Sequence, residues 1–156
     1  MTHPPAPRPP LDRIPPDLHC AADYARMAPE FLAPSLYAHI EGGSGQDRTA
    51  EANLAAFAEL AIVPRMLRDV AGGHTDCVLG DSARPHPILL APIGWQALLH
   101  PEGERASARA AAATRSGLVV STMASATLED IAEVAGADRW FQLYFQPDRA
   151  VTLDLV

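Results

Sequence analysis

The clearest alternation of apolar and polar positions lies in the middle of the chain. Ile88-Leu89-Leu90-Ala91 is a short apolar run bounded by Pro87 and Pro92. It is too short for a buried helix and predicts a strand covered on both faces. Pro101 then stands where a helix should begin, with Glu102 and Glu104 in the first turn. Proline loses nothing at that position, and carboxylates favour the positive end of a helix. Ala106, Ala108 and the alanines at 110–113 carry the helix on, and Gly117 ends it. A second apolar run, Leu118-Val119-Val120, follows at once. The pattern predicts a βαβ unit.

On the N-terminal side, residues 18–27 read as a short helix with Asp17 available to cap it. A second helix starts at Pro34 or Ser35 and runs to Glu41, where Gly42-Gly43-Ser44-Gly45 stops it. That glycine cluster reads as a helix cap and turn. A phosphate cradle is the alternative, but no strand precedes the cluster and no Gly-Lys-Ser/Thr follows it. Asp47 caps the next predicted helix, whose Leu54, Phe57 and Ala58 recur at helical spacing and should face a core. Ile62-Val63 and Val78-Leu79 then predict a small strand pair about a Gly72-Gly73 turn. On the C-terminal side, Thr127-Leu128-Glu129-Asp130 resembles a capping box, with Leu128, Ile131 and Val134 as one stripe. Gly136 ends that helix, residues 140–145 predict a third strand, and Asp148 opens a further helix. Strands alternating with helices at this rhythm argue for parallel pairing with right-handed crossovers.

Composition narrows the function. The 156 residues make one domain by size, short of the roughly 250 of a full eight-stranded α/β barrel. A net charge of −7 argues against a nucleic-acid partner. Cys20 and Cys77 are far apart and in no metal-ligand spacing, so a reduced, cytoplasmic protein is the simpler expectation. No segment has the length and hydrophobicity of a membrane span; the stretch 88–99 is broken by proline, glycine and glutamine. Proline dominates residues 1–16, which predicts a mobile tail. The Pro4–Pro7 and Pro7–Pro10 spacings there also satisfy a polyproline-recognition pattern.

Several separate motifs carry a likeness. Ala91-Pro92-Ile93-Gly94, His100-Pro101-Glu102-Gly103-Glu104, Ala108-Arg109-Ala110-Ala111 and Phe141-Gln142-Leu143-Tyr144, with Tyr37 upstream, occur in one order and spacing. In these the chain resembles the FMN-dependent 2-hydroxy acid oxidases and dehydrogenases, which include glycolate, lactate and hydroxymandelate oxidases. The resemblance implies the N-terminal part of a (β/α)8 barrel, with about three parallel strands preceded by a small helical cap and hairpin. It implies FMN as cofactor and a small 2-hydroxy acid as substrate. The barrel's active site forms where loops leave the C-terminal ends of the strands. There, Pro92, Ile93 and Gly94 match the loop lying against the flavin ring. Ser121 and Gln142 match residues that bond its polar edge, and Tyr144 matches a phenol reaching the substrate carboxylate or oxyanion. Gly94 stands where many relatives have alanine, which suggests more room over the ring.

Two positions depart from glycolate-oxidase-like members. His39 replaces a substrate-carboxylate tyrosine, and Met123 replaces a tryptophan. These departures, with the Gly42–Gly45 turn, resemble the hydroxymandelate-oxidase branch and point to an aromatic acid. His100, before a helix-starting proline, suits a structural cap. His3, His19, His74 and His86 read as surface. Arg65 and Arg68 resemble a packing motif, against a reading of plain solvated charge.

The family's catalytic histidine, its arginine, its lysine and its phosphate-gripping loop belong to the second half of the barrel. The chain stops at Val156, so none has a counterpart here. Without a base, proton abstraction loses orders of magnitude in rate. The expectation is half of an oxidoreductase: weak in flavin affinity when alone, and partnered by a C-terminal half-barrel chain or a further copy of itself. The alternative is a non-catalytic remnant or binding module. An open three-stranded sheet would leave its inner face and an edge unpaired.

Overall fold

The first helix, α1 (Ala21–Phe31), begins later than predicted, and Asp23 is the reason. Its Oδ2 accepts the backbone N–H groups of His19 and Cys20, at 2.8 and 2.9 Å, so the chain turns into the helix at Cys20 and not at Asp17. The Cys20 N–H is one of the donors that a helix start leaves orphaned. In this computed structural model, which describes residues 6–155, α1 belongs to one of two compact units, Met1–Arg68 and Asp69–Val156. Of the proline-rich segment, residues 1–5, including Pro4, lie outside the described residues. Arg8 is tied to α1 by an ion pair with Glu30, by its N–H to the Glu30 carbonyl, and by stacking over Phe31.

The second helix, α2 (Pro34–Glu41), starts at Pro34 as expected. It ends at Gly42, where a Cβ would come within 2.7 Å of the Ala38 carbonyl oxygen. The glycine cluster is thus a helix stop and turn. Asp47 does stand at the start of α3 (Arg48–Ala58), but its carboxylate accepts the Gly43 N–H and caps nothing in α3. Leu54 and Phe57 do not face a core: both are 78 % exposed, and Ala58 is exposed too. Among the described residues, their unit has three short helices and no sheet to receive that stripe.

In the second unit the small hairpin is β1 (Cys77–Leu79) with β2 (Ser82–Arg84), paired Val78 to Ala83. Val78 and Leu79 are strand residues as expected, but Ile62 and Val63 are not their partners and lie exposed in irregular chain. A two-residue Gly80-Asp81 loop, glycine first at φ +59°, brings the adjacent segment back instead. Local closure of this kind costs less chain entropy than pairing across a longer loop.

Three parallel strands follow in chain order, β3 (Leu89–Leu90), β4 (Gly117–Ser121) and β5 (Arg139–Gln142), forming a sheet β3-β4-β5. Helices α4 (Gly103–Thr114) and α5 (Leu128–Val134) are the crossovers, and α6 (Arg149–Asp154) opens behind the Asp148 cap. The helix α4 starts at Gly103 instead of Pro101. Arg115, in the left-handed conformation, closes it in place of Gly117. Gly117 opens β4, where a Cβ would meet Arg84 Nη1 and Asp138 Oδ2 at 2.9 Å. Thr127 caps α5 by accepting the Asp130 N–H.

The core is one layer thick. Leu118 and Val120 point to the helices and meet Ala108, Ala111 and Ile131, with Leu90 and Val134 beside them. Alanine on α4 lets helix and sheet approach closely, and burying Ile131 contributes about 1.5–3 kcal/mol. The alternate residues of β4, Val119 and Ser121, face the other way and pair in register with Trp140 and Gln142. On that face the buried Arg84 of the hairpin lies against Gly117 and stacks over Trp140, but among the described residues no second apolar layer covers it, and Trp140 is 44 % exposed. Hence the strand at 88–91 is not covered on both faces: Ile88 is exposed and Leu89 half-buried. This is the opening third or so of a barrel, not a closed one.

Candidate functional site

Loops leave the C-terminal ends of β3, β4 and β5 side by side, because the strands are parallel and in register. Ser121, the last residue of β4, is buried, and its Oγ accepts the Met123 N–H at 3.0 Å. The same hydroxyl donates to Gln142 Oε1 across a long 3.4 Å, so the two side chains predicted to meet a flavin edge meet each other. This fixes the orientation of the Gln142 amide and turns its NH2 away from Ser121. Tyr144 does not share the strand with Gln142, since β5 ends at Gln142. Instead the Tyr144 N–H is held by Thr122 Oγ1 at 3.1 Å, and the residue is 57 % exposed.

Thr122 carried no weight in the sequence reading, yet it joins two of the loops. Its N–H and hydroxyl both donate to the Gln142 carbonyl, while its oxygen accepts from Tyr144. A β-branched residue has few rotamers to lose, which suits it to such a clamp.

The loop after β3 carries Pro92, Ile93 and Gly94. Ile93 is 55 % exposed. The space that an alanine methyl would take at Gly94 is already filled: its Cβ would lie 2.8 Å from Met123 Cβ and 3.1 Å from the Met123 oxygen. Glycine at 94 thus admits the β4 loop. Trp95 follows with φ +53°, an uncommon conformation for a bulky residue, and its N–H donates to the Met123 carbonyl at 2.9 Å. Met123 itself is 40 % exposed.

His39 sits on α2 in the other unit and is exposed. His100 is the structural turn residue expected, its Nδ1 accepting the Glu102 N–H at 3.2 Å. His86 is not a surface residue. It is half-buried, with Nε2 3.0 Å from the Thr114 carbonyl oxygen, because it packs where α4 ends. Arg65 and Arg68 are exposed. Among the described residues no cluster of three or more His, Cys, Asp or Glu could hold a metal ion, and no helix is long and apolar enough to cross a membrane.

The donor set suits a planar heterocycle with carbonyls and ring nitrogens. An oriented primary amide and a hydroxyl stand at adjacent strand ends, beside an uncovered face bearing Val119 and Trp140. The family model described as FMN-dependent dehydrogenase matches residues 28–156. The chain belongs to that family. Among FMN-dependent dehydrogenases, it is 54 % identical over 147 residues to an L-lactate oxidase of Alicycliphilus denitrificans, covering 94 % of this chain and 40 % of that one. It is 38 % identical over 135 residues to a 4-hydroxymandelate oxidase of Amycolatopsis orientalis, covering 86 % and 38 %. A crystal structure of a mandelate oxidase superposes with a TM-score of 0.81 at 38 % identity, over 86 % of this chain and 40 % of that one. The chain therefore spans about two-fifths of the length of the relatives it matches, and it is an N-terminal part of the family's FMN-dependent barrel.

Proposed function

We propose that this chain supplies the flavin-edge side of an FMN-dependent 2-hydroxy acid oxidase. The observation that carries this is the register pairing of Ser121 with Gln142, whose polar side chains stand bonded together at the C-terminal ends of neighbouring parallel strands. Bound there, FMN would supply the two-electron acceptor for oxidation of the hydroxy acid to the oxo acid. The chain's own residues bind and orient. Gln142 offers its amide NH2 to a carbonyl or ring nitrogen, and Ser121 holds that amide. The loop Pro92-Ile93-Gly94 lays backbone and the Ile93 side chain against the ring. Tyr144 places a phenol donor toward the substrate carboxylate or developing oxyanion, and Met123 shapes the substrate side. The base that takes the substrate proton, and the residues that grip the phosphate, come in this reading from the remaining strands of the barrel, carried by another chain or by a longer form of this one.

The higher identity lies with an L-lactate oxidase, so a small aliphatic 2-hydroxy acid is preferred here over the aromatic acid that the His39 and Met123 departures suggested. The test is direct. FMN is titrated into the full chain, followed by its absorbance and fluorescence, with Gln142→Ala as control; the remaining barrel residues are then added with L-lactate or (S)-mandelate. Binding weakened by Gln142→Ala, with bleaching only in the mixture, supports the proposal. No flavin binding in either setting, or equal binding by the variant, ends it.

A further inference from the structure

Glu104 is 4 % exposed, and its position in the first turn of α4 suggested no more than a favourable charge near the helix start. Its carboxylate does something more specific. Oε1 accepts the Ser125 N–H at 2.8 Å and the Gln96 N–H at 3.2 Å. Ser125 lies in the loop after β4 and Gln96 in the loop after β3, so one oxygen gathers both segments that the proposed flavin site needs. Neighbouring bonds brace the same junction. Ser125 Oγ accepts the Ala97 N–H, and Ser107 Oγ donates to Gln96 Oε1 at 2.6 Å. The Gln96 amide in turn donates to the Ile93 carbonyl at 3.2 Å. Glu104 also lines a cavity of about 10 Å³ with Ile93 and Ser121, room for a single water.

We propose that Glu104 is a positioning residue for the flavin-facing loops: its carboxylate clasps the β3 and β4 loops and so fixes Ile93 and Gly94 against Ser121 and Met123. This rests on the function proposed above, but the clasp itself is a property of the chain without ligand. Two backbone donors converge on the one buried oxygen, while Oε2 is buried without a hydrogen-bond partner, so the clasp rests on Oε1 alone. Burial rules out replacement by bulk water, so a side chain without the acceptor leaves both N–H groups unpaired.

The test uses amide hydrogen exchange on the full chain, first without FMN. Glu104→Met removes the acceptor at similar volume, Glu104→Asp withdraws it by one methylene, and Glu104→Gln keeps Oε1 in place. Exchange at Gln96 and Ser125 should quicken by about tenfold or more in the Met and Asp variants. Exchange at Leu118 and Val120 should stay within about twofold, and the Gln variant should remain near wild type. Should the Met variant not fold, the Asp variant decides. Unchanged exchange at Gln96 and Ser125, or equal quickening throughout the sheet, overturns the clasp. FMN titration is the second arm. A loss of about tenfold in affinity for Met and Asp, restored in Gln, carries the clasp through to the flavin; quickened exchange with unchanged affinity overturns its positioning role. If the wild-type chain binds no FMN either alone or with the remaining barrel residues, the functional proposal fails, and the exchange arm still judges the clasp.

Discussion

At Gly94 the packing supplies a reason for glycine that the sequence does not show. The sequence places it in the loop after a strand, where the fold puts it, but the idea that its missing methyl opens space over a ring does not match the packing. That space belongs to Met123, whose Cβ would be 2.8 Å from the new methyl. A Cβ cannot swing aside as the end of a long side chain can, so Gly94→Ala must push the β4 loop. The expected cost is about 1–3 kcal/mol in thermal or denaturant unfolding. Combining it with Met123→Gly should recover much of the loss, whereas two independent sites would simply add. Additivity within about 0.5 kcal/mol would show that the loops do not press on each other there. Ser121 and Gln142 were singled out by their resemblance to the family's motifs, and the fold sets them side by side at the ends of neighbouring strands. Thr122 and Glu104 were not legible, because what they bond to is backbone some 20 residues away, and no local pattern announces such partners.

At the scale of elements, apolar runs located all three parallel strands, while caps and turns were where the reading slipped. Helix α1 is the clearest case, since the sequence pointed to Asp17 and the fold uses Asp23 instead. The Asp23 carboxyl is held below its ordinary value of 3.8, first by the His19 N–H, then by Cys20 through its N–H and thiol, and by Arg26, against a smaller opposing effect of burial. A folded value below the unfolded one means that this stabilisation is complete above the ordinary carboxylate range. It is lost as pH falls through the lower, folded value. Helical circular dichroism of the chain should therefore decline on acidification below about pH 4, and Asp23→Ala should flatten that part of the curve. An identical acid limb in the variant would remove Asp23 from the account. The hairpin makes a second case. Arg84, almost fully buried, reaches from β2 to Asp138 at 2.8 Å and stacks over Trp140 at 5.4 Å, which is why Gly117 between them must be glycine. Removing one partner strands a buried charge, so Asp138→Ala should cost about 3–5 kcal/mol, while the paired apolar exchange Arg84→Met with Asp138→Leu should cost much less. Equal losses in the single and double variants would refute a desolvated pair.

For the chain as a whole, the sequence announced the family and also an open three-stranded sheet with its inner face and an edge unpaired. A parallel sheet usually hides both faces, yet here the apolar core lies on the helix side of β3-β4-β5 and the other face carries only Arg84 over Trp140. On the other side Trp140 is 44 % exposed, and past the end of β5 Phe145 is 87 % exposed. With β5 at one edge of the sheet and β3 at the other, two rows of backbone hydrogen-bonding groups also lie open. A surface of this kind is where the remaining strands of the barrel would add, since they bring both the missing pairing and the second apolar layer. Trp140 makes the idea measurable, because the chain has only two tryptophans, Trp95 and Trp140. With Trp95→Phe, emission reports on Trp140 alone. Adding a polypeptide that carries the remaining strands should shift that emission to the blue and protect it from acrylamide or iodide quenching. Loss of quenching protection in a partner lacking the strand next to β5 would tie the effect to that edge. Emission that stays red and fully quenchable in the mixture would mean that this face is not where the barrel closes.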